Sequence, residues 1–84
     1  MHYVYVLKSL KDGNIYVGRT ENLNERLKEH FKSRVLSTKC RLPLKLMYAE
    51  MGNNIKDAVH REKYLKSAWG KRYLKHRLRN DLSH

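Results

Sequence analysis

The chain has 84 residues, with nineteen Lys and Arg against eight Asp and Glu for a formal net charge of +11, and a single cysteine. A length this short is expected to make one domain, residues 1–84, and the lone Cys40 excludes an internal disulfide or a cysteine-based metal cluster. The N-terminus MHYVYVLKSLKDG does not read as a signal peptide, and no run is apolar enough to span a bilayer, so a soluble, cytoplasmic protein without a membrane partner is expected.

In chain order, YVYVLKS (residues 3–9) is rich in β-formers, Asp12-Gly13 is a hairpin turn signal, and residues 14–19 form the returning strand. A two-residue turn makes the pairing sum odd, which puts Tyr5 and Tyr16 on the same sheet face. A first helix starts near Asn22, where Asn22 and Glu25 fit a capping box. Leu23, Leu27 and Phe31 supply its apolar stripe, and at about 100° per residue Arg26 and His30 share one shoulder of that stripe. Residues 33–43 read as a basic loop, 44–51 as a third strand, and Gly52-Asn53-Asn54 as a turn. A second helix is expected over residues 55–69, broken by Gly70, with a short basic helix from Lys71 to about Leu78. The order β-β-α-β-α-α predicts an α+β fold, a small three-stranded antiparallel sheet flanked by helices.

On the second helix Ile55, Ala58, Leu65 and Trp69 gather within an arc of about 80°, and Glu62 lies inside that arc. A carboxylate on a buried face is costly unless it is paired or holds a metal. A salt bridge, for instance to Lys66 one turn later, is one reading; a single-carboxylate site for a divalent ion is the other. The charge distribution points to nucleic acid. From Lys32 to Lys45 there are five basic residues and no acid, and from Arg61 to Arg79 eight basic residues and only Glu62. Arg19, Lys39, Arg41, Lys66, Lys71 and Arg72 are the candidates for backbone contacts, with DNA favoured over RNA. Phosphodiester hydrolysis needs a base, a cation on the phosphate and a metal or acid for the leaving oxygen. Tyrosine can act as the base only where nearby cations lower its pKa, and arginine suits phosphate through its two parallel donors.

YVY at residues 3–5, YVG at residues 16–18, the spacing from Tyr5 to Tyr16 to Arg26, and a later helical Glu62 together resemble the GIY-YIG nuclease family across essentially the whole chain. The ending REKYLKSAWGKRYLKHRL is similar to small stand-alone members related to the catalytic domain of the excision-repair incision subunit. The resemblance implies an endonuclease using one Mg2+ or Mn2+ ion. It implies Tyr5 as general base, Tyr16 as a positioning group, Arg26 as the phosphate-stabilising cation, Glu62 as the sole protein ligand of the metal, and His30 as an aid to the tyrosine. Gly18 is expected to let backbone approach the site closely. Two departures stand out: Tyr3 replaces the first-signature glycine, and the window where many members carry an asparagine holds Leu74 to Arg77. The alternative function is a nucleic-acid-binding module of the same fold with weak or no cleavage.

Overall fold

The computed structural model describes residues 1–82. Its elements are β1 (His2–Ser9), β2 (Ile15–Thr20), α1 (Leu23–Phe31), a 3-10 turn (Lys39–Arg41), β3 (Leu44–Gly52), α2 (Ile55–Lys66), α3 (Ala68–Arg77) and a last turn, α4 (Arg79–Leu82). The sheet is antiparallel in the order β2-β1-β3. The α+β class and the β-β-α-β-α-α order expected from the sequence are therefore what the chain adopts.

The central strand is covered on both faces, and its sequence reflects this. Val4, Tyr5, Val6 and Leu7 are all buried in a row, where a strand with one wet face would alternate. Val4, Val6 and Val17 point to α2 and α3 and form the core with Ala58, Leu65, Leu74 and Leu78. The opposite parity, Tyr5, Leu7 and Ser9, faces α1 and the chain that follows it. Val35 and Thr38 are buried there, and Ser9 Oγ donates to Arg41 O at 2.6 Å while Leu10 N donates to Pro43 O at 2.8 Å. The segment read as a basic loop is thus a second lid on the sheet.

The hairpin closes between Ser9 and Asn14 around a longer loop, residues 10–13, with Ser9 N donating to Asn14 O (2.9 Å). Ser9 Oγ accepts from the N–H groups of Lys11 and Asp12, which favours this loop over the tight Asp-Gly turn. Gly13 supplies the left-handed residue it needs, at φ +77°. Because two- and four-residue loops have the same parity, Tyr5 and Tyr16 still share a face: Tyr5 pairs with Gly18 and Tyr16 with Leu7.

Asn22 caps α1 as expected, its side chain accepting from Glu25 N, but Glu25 does not reach back; its carboxylate lies 3.5 Å from Lys28 Nζ. The expected apolar stripe of α1 is only half realised. Phe31 is 45% exposed, whereas His30 is fully buried. The helix ends in a Schellman arrangement, with Ser33 N on His30 O and Arg34 N on Glu29 O, and Ser33 in the left-handed region at φ 63°.

The long second helix is also corrected. The break falls at Ser67, whose side chain caps α3 by accepting from Gly70 N. Gly70 lies inside α3, where a Cβ would collide with the carbonyl of Tyr64 and the backbone of Leu65. Its role is close helix packing. Trp69, expected on the buried face, is 68% exposed, and Ile55 is 49% exposed, so the inward face of α2 is carried by Ala58 and Leu65. Beside them Arg61 is half-buried, donating to Glu50 from Nε at 2.6 Å and stacking on Tyr73 and Tyr64.

Two substitutions should move stability in opposite directions in thermal unfolding. Gly70→Ala forces α3 off α2 and should cost roughly 1–3 kcal/mol. Ser33→Gly removes the left-handed penalty and should raise stability by roughly 1 kcal/mol.

Candidate functional site

Three rings meet on the α1 side of the sheet. Tyr5 comes from the central strand, Tyr16 from the edge strand β2 and His30 from the last turn of α1. Their centroids are 6.3 Å apart for the two tyrosines, 5.5 Å for Tyr5–His30 and 5.2 Å for Tyr16–His30. The Tyr5 hydroxyl lies 2.8 Å from His30 Nε2, and His30 Nδ1 lies 2.8 Å from Thr38 Oγ1, so one imidazole links strand, helix and loop. Tyr5, His30 and Thr38 are all fully buried. Thr38 could not be singled out from sequence. Its only signal is a small hydroxyl in a stretch otherwise rich in cations.

Gly18 has a different use from the one expected. It is the cross-strand partner of Tyr5, and a Cβ there would run into the Tyr5 hydroxyl and ring. The glycine makes room for a tyrosine of its own chain, and by doing so sets where that hydroxyl sits.

Burial pushes the Tyr5 phenol up to about 12, while the hydrogen bond and charge of Arg26 pull against that rise. Arg26 reaches the site from α1, one turn before His30. The Tyr5 hydroxyl raises its pKa, and its guanidinium is 3.6 Å from Glu29. His30 is shifted below its ordinary value by burial and then by the Arg26 charge, so the ring is neutral at pH 7. A neutral imidazole has one donor and one acceptor nitrogen. Either Tyr5 donates to Nε2 while Nδ1–H donates to Thr38, or the whole chain runs the other way.

Glu62 stands on the other side of β2. Its carboxylate, 20% exposed, lies 3.4 Å from Arg19 Nε on β2 and 3.1 Å from Lys66 Nζ on its own helix. It pairs with Arg19 and Lys66 and not with the ring cluster. The Arg19 contact has the distance of an ion pair but not the alignment of a hydrogen bond, and Arg19 Nε is buried without an acceptor. Among the described residues no three His, Cys, Asp or Glu side chains group to hold an ion. Any divalent ion here would rest on Glu62 alone. The donor fits such an ion: a hard oxygen ligand open to water, shared with a lysine that is itself 55% exposed.

The remaining basic candidates separate in space. Arg41 and Lys71 line a cavity of about 540 Å³ with Lys8, Lys75, Asn14 and the apolar Ile15 and Leu74. Sequence alone does not single out Lys8 and Lys75. Lys39 lies in the 3-10 turn, Lys66 on Glu62, and Arg72 over the Trp69 ring at 4.9 Å. Among the described residues no helix is long and apolar enough to cross a membrane.

Comparison with known proteins gives a consistent result. A family model described as the GIY-YIG catalytic domain matches residues 1–76. A UPF0213 protein of Bacillus licheniformis is 44% identical over 66 residues, which is 77% of this chain and 67% of that one. UPF0213 proteins of Clostridium perfringens (43% over 67 residues, 79% and 71%) and Staphylococcus haemolyticus (37% over 67 residues, 79% and 80%) are also similar. No solved structure matches.

The neutral, buried His30 makes stability depend on pH. Its folded pKa lies below the ordinary 6.5, so as pH falls through 6.5 the unfolded chain takes up the proton first and stability is lost. The pH dependence of the chemical-unfolding midpoint should therefore show a fall on the acid side of 6.5 that is smaller in His30→Gln.

Proposed function

The chain belongs to the GIY-YIG nuclease family, and on that footing we propose that residues 1–84 act as a single catalytic-type domain that hydrolyses phosphodiester bonds of DNA. The observation that carries this reading is the Tyr5 hydroxyl held 2.8 Å from a neutral, buried histidine with an arginine beside it. A phenol pushed up to about 12 is not a standing phenolate, so Tyr5 works as a relay. When it takes a proton from the attacking water, its own proton passes to His30 Nε2, which requires the tautomer in which Nδ1–H donates to Thr38.

Arg26 is the group that meets the phosphate. Its side chain is 34% exposed, so its guanidinium is within reach of a phosphate oxygen while its charge acts on the Tyr5 hydroxyl. Tyr16, half-buried against the His30 ring, positions water or phosphate at the entrance. Arg19, whose side chain is 31% exposed beside Glu62, is a further backbone contact on that flank of β2. Water attacks phosphorus, the bond from phosphorus to the leaving oxygen breaks, that oxygen takes a proton from solvent, and Arg26 bears the added charge of the crowded phosphorus centre. Glu62 would hold one Mg2+ or Mn2+ ion, which when bound supplies positive charge near the leaving oxygen. Lys66, displaced from Glu62, then joins Lys39, Arg41, Lys71 and Arg72 as a backbone contact.

A second reading has an observation of its own. Both carboxylate oxygens of Glu62 lie near a cation, and Tyr5 is closed off from solvent; this is also the arrangement expected of a binding module that does not cut.

Supercoiled plasmid incubated with the protein decides between the two. Nicking is expected with magnesium or manganese and not with chelator. Glu62→Ala, Tyr5→Phe and Arg26→Ala should each lower the rate by at least about a hundredfold. Metal-dependent nicking that survives Glu62→Ala would overturn the metal assignment. Salt-sensitive binding with no nicking would establish the binding module.

A further inference from the structure

The sole tryptophan of the chain is in an unusual place for the bulkiest apolar side chain available to a small core. Trp69 lies in the first turn of α3 with 68% of its surface exposed, and it has no part in the hydrophobic core, which α3 joins through Leu74. Arg72, one turn on, places its guanidinium 4.9 Å from the ring centroid. That covers one face of the indole with a cation, and the remaining exposure leaves the other face open to solvent. The helix is cationic: Lys71, Arg72, Lys75 and Arg77 lie along it, and it carries no acid. An isolated exposed hydrophobe needs no explanation. A flat ring clamped on one face by arginine and set in a basic surface is, however, the arrangement on which an unpaired base stacks while cations hold its flanking phosphates.

From this arrangement we infer that Trp69, backed by Arg72, is a stacking platform for an unpaired nucleobase. The substrate of the proposed reaction is then single-stranded or junction-bearing nucleic acid. A continuous duplex keeps its base faces stacked on one another and offers none to the indole. The ligand is nucleic acid only if the proposed function holds to that extent, but the platform does not require cleavage. The open ring face binds the base, and Lys71 and Lys75, which also line the cavity with Lys8 and Arg41, take phosphates on the strand leading away from it.

Because there is one tryptophan, its emission reads the site directly. The test is a titration of the full chain in chelator with three probes: oligothymidylate of about ten nucleotides, an abasic strand with the same number of phosphates, and a blunt duplex. Oligothymidylate should quench Trp69 strongly, the abasic strand should bind without comparable quenching, and the duplex should quench weakly. By anisotropy of a labelled strand, Trp69→Ala should weaken oligothymidylate binding on the order of tenfold or more and leave abasic-strand binding unchanged, with most of the loss recovered in Trp69→Phe. Equal quenching by the abasic strand, or Trp69→Ala binding oligothymidylate like the parent chain, would overturn the platform. So would an emission shift produced by vesicles of anionic phospholipid and by no oligonucleotide. Plasmid nicking is scored separately: quenching without nicking removes the nuclease and leaves the platform, and nicking without quenching does the reverse.

Discussion

The structure depends on a histidine that must be buried and neutral. α1 offers little apolar surface to the sheet, since Leu23 and Leu27 are half-buried and Phe31 faces outward, so its fastening is polar. His30 carries it, bonded to the central strand through Tyr5 and to the following segment through Thr38. A buried polar group is tolerable only when its hydrogen-bonding capacity is met, and a neutral imidazole between two hydroxyls meets it fully. That requirement extends outward. Tyr5 must lie flat across β2, so position 18 must be glycine, and the segment after α1 must return over the sheet to deliver Thr38. The residues that make the candidate chemistry conceivable are the same ones that hold one layer of the fold in place.

Much of this was legible because it follows from local rules. Element order and fold class came from strand patterning and turn signals, and the shared face of the two tyrosines followed from parity alone; the spatial order β2-β1-β3 did not. The N-cap at Asn22 was readable from its side-chain chemistry. What could not be read was which shoulder of α1 turns inward. Periodicity locates Arg26 and His30 beside the apolar stripe but says nothing about what stands opposite. Here the opposite surface is a tyrosine hydroxyl, which favours the histidine over Phe31. The helix break was misplaced for a related reason. Glycine was read for its poor helix propensity, whereas Gly70 is selected by the nearness of a second backbone, and the true break belongs to a serine able to cap the next helix.

Charge was the clearest feature of the sequence and the least resolved in detail. A count along the chain treats every cation alike. In three dimensions Arg61 is consumed by Glu50 and two tyrosine rings, Arg19 turns toward Glu62, and Arg41 and Lys71 meet Lys8 and Lys75 across a cavity although they are far apart in sequence. Glu62 was noticed because it interrupts an apolar arc. That arc proved to be partly wet, and the carboxylate sits at its margin, where water, lysine and arginine all have access.

The two flanks of β1 differ in how they treat an odd residue. Toward β3 the pairing slips by one between Val6 and Leu7, absorbing Met47 as a bulge. Toward β2 the ladder runs without a slip from Lys8↔Ile15 to Tyr3↔Thr20. The outer flank can therefore drift by insertion and deletion, as surface strands commonly do. The hairpin linking β1 to β2 has no such freedom: between Tyr5 and Tyr16 the chain can change length only in pairs, because one added residue without a compensating bulge would turn Tyr16 to the α2 side of the sheet. A length rule of this kind constrains how such chains diverge.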